Sequence, residues 1–213
     1  IIFSSTAATY GTPERVPILE TAPQVPINPY GESKLFVEKA LQAFGVAHGI
    51  RSVIFRYFNA AGADPQGRIG EDHTPETHLI PLVIQAALGQ RENIQVFGND
   101  YATRDGTAVR DYVHVLDLGE AHRRGLEHLA AGGGSLALNL GTGMGYTVRE
   151  VIQMVERVGE RPVPVVEGPR RGGDSERLVA DASRAQSLLG WTPRHSSLEE
   201  IVATAWRWHS RRA

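Results

Sequence analysis

The chain has no cysteine among its 213 residues. That excludes a disulfide scaffold, thiolate metal ligands and a cysteine nucleophile. It has no basic excess: 22 Lys and Arg stand against 24 Asp and Glu, a net charge of −2, so nothing points to nucleic acid. No apolar run is long enough to cross a bilayer, and no secretory leader is visible. Internal repeats and low-complexity runs are missing too. These absences lead to the expectation of a cytoplasmic globular protein with no nucleic-acid or membrane partner. The first residue is not Met, and Ile1-Ile2-Phe3 reads as a strand with nothing before it, so an N-terminal part is expected to be missing. What is present is 41% hydrophobic and 22% charged residues, enough for one large domain or a domain and a half.

The apolar pattern alternates between strand and helix. Ile1 to Phe3 is read as a buried strand that ends in Ser4-Ser5-Thr6. Ala7 to Asn28 holds Pro13, Pro17, Pro23 and Pro26 and is read as loop. Pro29 suits a helix start, and Leu35, Val37, Ala40, Leu41 and Phe44 supply its apolar face. Ser52 to Phe58 is a second strand, ending in Asn59-Ala60-Ala61-Gly62. Further helices are expected over Ile80–Leu88, Leu116–Ala131, Thr147–Val158 and Ser183–Leu189, and strands over Leu136–Leu140 and Val163–Val166. Gly141-Thr142-Gly143 is read as a turn that touches a ligand, and Ser197 with Glu200 as a capping box for a last helix. Strand, helix, strand is the unit of a parallel sheet, so Thr6, Tyr30 and Asn59 are expected at one sheet edge.

Tyr30 and Lys34 are one helical turn apart and share a helix face. A tyrosine titrates near ~10 and is a poor base at neutral pH, but an ammonium beside it favours the phenolate. The pair therefore suits proton abstraction. Glu71, Asp72, His73 and His78 are read as solvated loop residues, with no metal assigned.

Three stretches carry a resemblance: Phe3-Ser4-Ser5-Thr6-Ala7-Ala8-Thr9-Tyr10-Gly11, Tyr30-Gly31-Glu32-Ser33-Lys34 and Arg56-Tyr57-Phe58-Asn59. With Phe97-Gly98-Asn99-Asp100-Tyr101, the run Val109 to Val115, and Arg170-Arg171-Gly172-Gly173-Asp174, they resemble the extended short-chain dehydrogenase/reductase family in its UDP-sugar 4-epimerase branch. The resemblance implies an α/β fold: residues 1–59 as the C-terminal part of a Rossmann-like parallel sheet domain, residues 60–213 mainly as a smaller substrate lobe, and parts of 110–141 packing back on the sheet. It implies NAD as cofactor, a UDP-sugar substrate, a homodimer, and interconversion of UDP-glucose and UDP-galactose through a 4-keto sugar. Tyr30, Lys34 and Thr6 would be catalytic. Ser4, Ser5 and Tyr57, with Tyr30 and Lys34, would meet the cofactor. Thr6, Phe58, Asn59, His78, Leu79, Gln95, Phe97, Arg110, Arg171, Asp174 and Leu178 would meet the substrate, with the two arginines on the diphosphate.

One departure and one contrast bear on this. No Gly-x-Gly-x-x-Gly run occurs in the chain, so the loop that seats a dinucleotide pyrophosphate is not among these residues. The related 4,6-dehydratases carry an Asp-Glu pair after the Thr, whereas Ala7-Ala8 stands here and cannot move protons. UDP-glucuronate and UDP-pentose epimerases, an N-acetylhexosamine epimerase, and a non-catalytic UDP-sugar-binding remnant are the other readings. Leu178 lies where the family varies in size, which implies room beside the sugar.

Overall fold

A computed structural model describes residues 1–211. The chain opens with strand β1 (Ile2–Thr6), a short 3-10 turn (Ala7–Tyr10) and helix α1 (Pro29–His48). Next come β2 (Val53–Tyr57), β3 (Asn59–Ala61), α2 (Leu79–Ala87) and β4 (Ile94–Phe97). Strands β5 (Val109–Arg110) and β6 (Tyr112–His114), helix α3 (Val115–Ala130) and β7 (Leu136–Leu140) follow. The remainder is β8 (Tyr146–Thr147), α4 (Val148–Gly159), β9 (Val165–Gly168), β10 (Arg177–Leu178), α5 (Ser183–Leu189) and α6 (Leu198–Ser210).

The main sheet is parallel, in the order β1-β2-β7, with Thr6 level with Tyr57 and Tyr57 level with Leu140. Val53, Ile54 and Phe55 are all buried. That continuous apolar run is the mark of a central strand covered on both faces. Helix α3 lies close enough to β2 that a Cβ at Gly125 would meet the Phe55 ring at 3.0 Å. Among the described residues β1 pairs only with β2. Ile1 O accepts from Val53 N at 2.9 Å, so alternate carbonyls, including that of Ser4, face the other edge.

The second core joins α2, α4 and α6. Ile80, Val83, Ile84, Val151, Val155, Ile201 and Val202 are buried together there. Short strand pairs connect the two cores: β3 with β6, and β5 with β10 and β8. Parallel β4 and β9 form a further pair against the second core.

The structure corrects four sequence readings. The segment Ala7–Asn28 is not all loop: Thr6 Oγ1 accepts from Ala8 N at 3.1 Å and caps the 3-10 turn, and Ile18 is buried, bridging Ala180. The buried face of α1 runs Gly31, Leu35, Glu38, Leu41, while Phe44 is exposed; an acid replaces the expected aromatic because Arg56 neutralises it. The capping box at Ser197 is half formed: Ser197 Oγ accepts from Glu200 N at 3.2 Å, while the Glu200 carboxylate turns to His195 Nδ1 at 2.6 Å. A complete box sits instead at Thr147 and Glu150. Finally, the Gly141–Gly143 turn serves a protein carboxylate, as described below.

Candidate active site

Helix α1 begins where its chemistry sits. Asn28 Oδ1 accepts from Gly31 N at 2.8 Å, and Pro29 occupies the first turn, a pairing of cap and proline that fixes where a helix starts. The adjacent glycine is needed, because a Cβ at Gly31 would come within 2.5 Å of Ala8 O. Close packing of α1 on the 3-10 turn therefore sets Tyr30 beside the end of β1.

Tyr30 is exposed and lines a cavity of about 240 Å³ together with Tyr57, Phe58, Asn59, His78 and Leu79. Lys34 lies one turn on. Its Nζ donates to Ser4 O at 3.0 Å and stands 5.8 Å from the centre of the Tyr30 ring. A second cavity, also about 240 Å³, is lined by Thr6, Phe58, Asn59, Arg110, Asp174 and Leu178. Phe58 and Asn59 belong to both walls, so the two cavities adjoin. Thr6 Oγ1 already accepts from Ala8 N, which leaves its proton and one lone pair to offer a ligand.

The serines are oriented differently. His122 Nδ1 is 2.7 Å from Leu118 O and so carries its proton there. Its Nε2 therefore accepts, and Ser4 Oγ donates to it at 2.9 Å. Ser5 is buried and donates to Glu38 Oε1. The Ser5 proton is thus taken by the acid that the sequence pattern did not place on the buried face. Both expected diphosphate arginines are already held. Arg110 bonds Asp174 Oδ1 at 3.1 Å and Ser175 O at 2.8 Å, and the Arg171 guanidinium lies 3.7 Å from the centre of the Phe97 ring. Gln95 is exposed on β4. Gln95, Phe97 and Arg171 lie outside both cavity walls.

Comparison with known proteins adds the family. The GDP-mannose 4,6 dehydratase family profile matches residues 1–205. The chain belongs to that family. A UDP-glucose 4-epimerase of Rhizobium leguminosarum bv. trifolii is 58% identical over 210 residues, 99% of this chain and 64% of the relative. The crystal structure of UDP-glucose 4-epimerase from Brucella ovis in complex with NAD superposes with a TM-score of 0.95 at 51% identity, over 96% of this chain and 63% of that one. UDP-glucose 4-epimerase from Bifidobacterium longum in complex with NAD+ and UDP gives 0.91 at 42% identity, over 99% and 63%. The chain thus spans under two thirds of the length of these relatives. Within the dehydratase family, Ala7 and Ala8 stand beside Thr6 and carry no titratable group.

Several residues that shape the site were not singled out by the sequence reading. Arg56 reaches Glu38 Oε2 at 2.6 Å with both side chains under 5% exposed, and Arg56 Nη1 donates to Tyr10 Oη at 2.9 Å. Tyr10 Oη donates on to Asn139 Oδ1 at 2.7 Å, and burial pushes the Tyr10 phenol up. Asp111 is buried between β5 and β6. Its carboxylate takes Thr142 Oγ1 at 2.6 Å, Thr142 N at 2.9 Å and Ala180 N at 3.1 Å. A Cβ at Gly141 would come within 2.5 Å of Asp111 Oδ2. The glycine turn expected to touch a ligand is therefore wrapped around Asp111, whose carboxyl burial pushes up. An acid inside an apolar strand run, Val109 to Val115, was the available signal.

The loop from Gly70 to His78 forms the far wall. Glu71, His73, Glu76 and His78 gather so that their ligating atoms all lie within 4.8 Å of one another. The sequence reading grouped Asp72 with these histidines and left Glu76 out. Among the described residues no helix is long and apolar enough to cross a membrane.

Proposed function

We propose that these residues carry the catalytic pair and the sugar-nucleotide site of an NAD-dependent UDP-sugar 4-epimerase, with interconversion of UDP-glucose and UDP-galactose as its reaction. The observation that carries the proposal is Tyr30 on an open cavity, Lys34 one turn behind it, and Thr6 in the adjoining cavity across the Phe58–Asn59 wall. The relatives named UDP-glucose 4-epimerase, and the neighbours solved with NAD or UDP, support it. In this reading residues 1–59 belong to the dinucleotide half. Residues 60–213 mainly hold the sugar nucleotide, and the pairing of β7 with β2 supports a return of part of 110–141 to the first half. The homodimer is carried over from the resemblance, and the cytoplasmic setting from the sequence reading.

The residues fit one part of the cofactor and not another. The Lys34 ammonium, fixed on the Ser4 carbonyl, and Tyr57 beside Tyr30 suit the nicotinamide-ribose end. No residue here forms a glycine-rich cradle for the pyrophosphate. NAD, when bound, would supply the acceptor of the sugar C4 hydride and its return to the opposite face of the 4-keto sugar. Tyr30 takes the proton of the 4-hydroxyl, and Thr6 donates a hydrogen bond to that oxygen as it becomes a carbonyl. Lys34 supplies positive charge beside the phenolate. Return of the proton from Tyr30 completes the inverted alcohol. Arg110 and Asp174 hold each other until a diphosphate and a ribose replace the partner each would lose, since a guanidinium fork suits phosphate oxygens.

The test is UDP-galactose turnover in a protein that carries residues 1–213 behind a dinucleotide-binding segment. Tyr30→Phe is expected to lower turnover by about 10²–10⁴-fold, and Thr6→Ala by less. Near-normal turnover in Tyr30→Phe would remove Tyr30 from the mechanism. Residues 1–213 alone are expected to bind NAD weakly.

A further inference from the structure

We propose that Glu71, His73, Glu76 and His78 form a binding site for one divalent transition-metal ion of the zinc class. The inference stands on these four side chains and does not depend on the epimerase reading.

Two imidazoles and two carboxylates bring their ligating atoms within 4.8 Å of one another. His73 Nδ1 is 3.7 Å from Glu76 Oε1, and His78 Nδ1 is 3.8 Å from the same oxygen. Bonds of about 2.0–2.2 Å in a tetrahedron put neighbouring ligand atoms roughly 3.3–3.6 Å apart. Glu76 Oε1 is itself taken by two backbone N–H groups, so the second oxygen of that carboxylate, Oε2, is the one left to an ion. His78 Nδ1 also bonds Glu71 Oε1, and this contact must open to admit an ion. The proton in that bond must leave Nδ1, to Nε2 or to water, as the metal takes its place.

The frame is fixed before any ion arrives. Glu76 has a side chain only 8% exposed, and its Oε1 accepts from Thr77 N at 2.7 Å and from His78 N at 2.8 Å. Trp208 Nε1 donates to Glu71 O at 2.7 Å, anchoring the other end of the loop to α6. The two imidazole rings are stacked, with centres 5.6 Å apart and planes 21° apart. The histidines are more than half exposed, which leaves an entry path.

The donor set chooses the ion. Two imidazoles favour zinc, nickel or copper over magnesium and calcium, which prefer all-oxygen shells. Two carboxylates neutralise a divalent charge. Because Glu71 and His78 also line the Tyr30 cavity, the ion would sit on its rim and hold His78 away from any other ligand.

Titration calorimetry with Zn²⁺ as the probe, on the 213-residue chain, tests this. One ion per chain at micromolar concentration is expected, with no competition from millimolar Mg²⁺. His73→Ala, at an exposed position, and Glu76→Gln, which keeps an acceptor for the two backbone N–H groups, are each expected to weaken binding by about tenfold or more. Absence of Zn²⁺ binding would overturn the proposal. So would binding that both variants leave unchanged, because it would then reside elsewhere among the eight histidines.

Discussion

Helix α1 has two polar regions less than two turns apart, and they are built on opposite plans. At its start, Tyr30 is exposed to a cavity and Lys34 makes a single bond, to the Ser4 carbonyl. At Glu38 every group is closed: Ser5, Gln24 and Arg56 saturate the carboxylate, and Arg56 continues to Tyr10 and Asn139. The first region can exchange partners, and the second has none to exchange. The same helix thus holds a reactive pair still by anchoring it from behind.

Removing the anchor is expected to have the largest effect on stability. Glu38→Ala leaves a buried guanidinium without its partner, and breaking such a pair costs about 3–5 kcal/mol. Urea unfolding of the variant checks this, and an unchanged midpoint would mean that Arg56 is not dependent on Glu38.

A second closed site gives a pH test. Leu116 N donates to His114 Nδ1 at 3.1 Å, so the proton is on Nε2, which reaches Thr204 Oγ1 at 3.0 Å. Burial holds His114 below its usual range, against the pull of Glu200 and Asp117 and with a small push from His195. A depressed histidine binds its proton more readily when unfolded. Stability is therefore present above the ordinary value of 6.5 and lost as pH falls through the lowered one. Comparing denaturation of the parent and of His114→Gln at about pH 8 and about pH 5 is expected to show a shallower acid loss in the variant.

Leu178 touches both plans. It packs against the buried cluster of Ala7, Tyr10 and Ile18 and also lines the Thr6 cavity. In the longer protein, Leu178→Tyr is expected to suppress turnover of UDP-N-acetylgalactosamine while sparing UDP-galactose. The apolar contact of one methyl is worth only about 1 kcal/mol, so the effect is mainly a clash. Equal loss of both activities would assign Leu178 to the closed side, since overpacking a core harms every substrate alike. The smallest expected effect is on the stability of Tyr30→Phe. An exposed hydroxyl should change it by no more than about 0.5 kcal/mol, and a larger loss would show that the open end also bears load.

The open plan was more legible in the sequence than the closed one. Tyr30 and Lys34 follow from helical spacing, and the strand Leu136–Leu140 and helix Ser183–Leu189 follow from apolar runs that end in glycine or turn residues. Glu38 did not, because an acid on a helix is read as a solvated group unless its partner is known, and Arg56 is 18 residues away. Asp111 and its glycine turn are 31 residues apart, so neither explains the other until the chain is folded. Glu76 joined the histidine cluster through backbone N–H groups that no residue pattern displays.

The edge of the main sheet is also a lock. Among the described residues no strand pairs with the outer row of β1 carbonyls, and Lys34 is tied to one of them, the Ser4 carbonyl. Lysine is a common guard against stray pairing along such an edge. Here the guard is also half of the candidate proton-transfer pair. A strand of another molecule that added along Ile2–Thr6 would meet a Ser4 carbonyl already bonded to the ammonium. The bond that steadies the ammonium is therefore also a bond that occupies the strand's outer row.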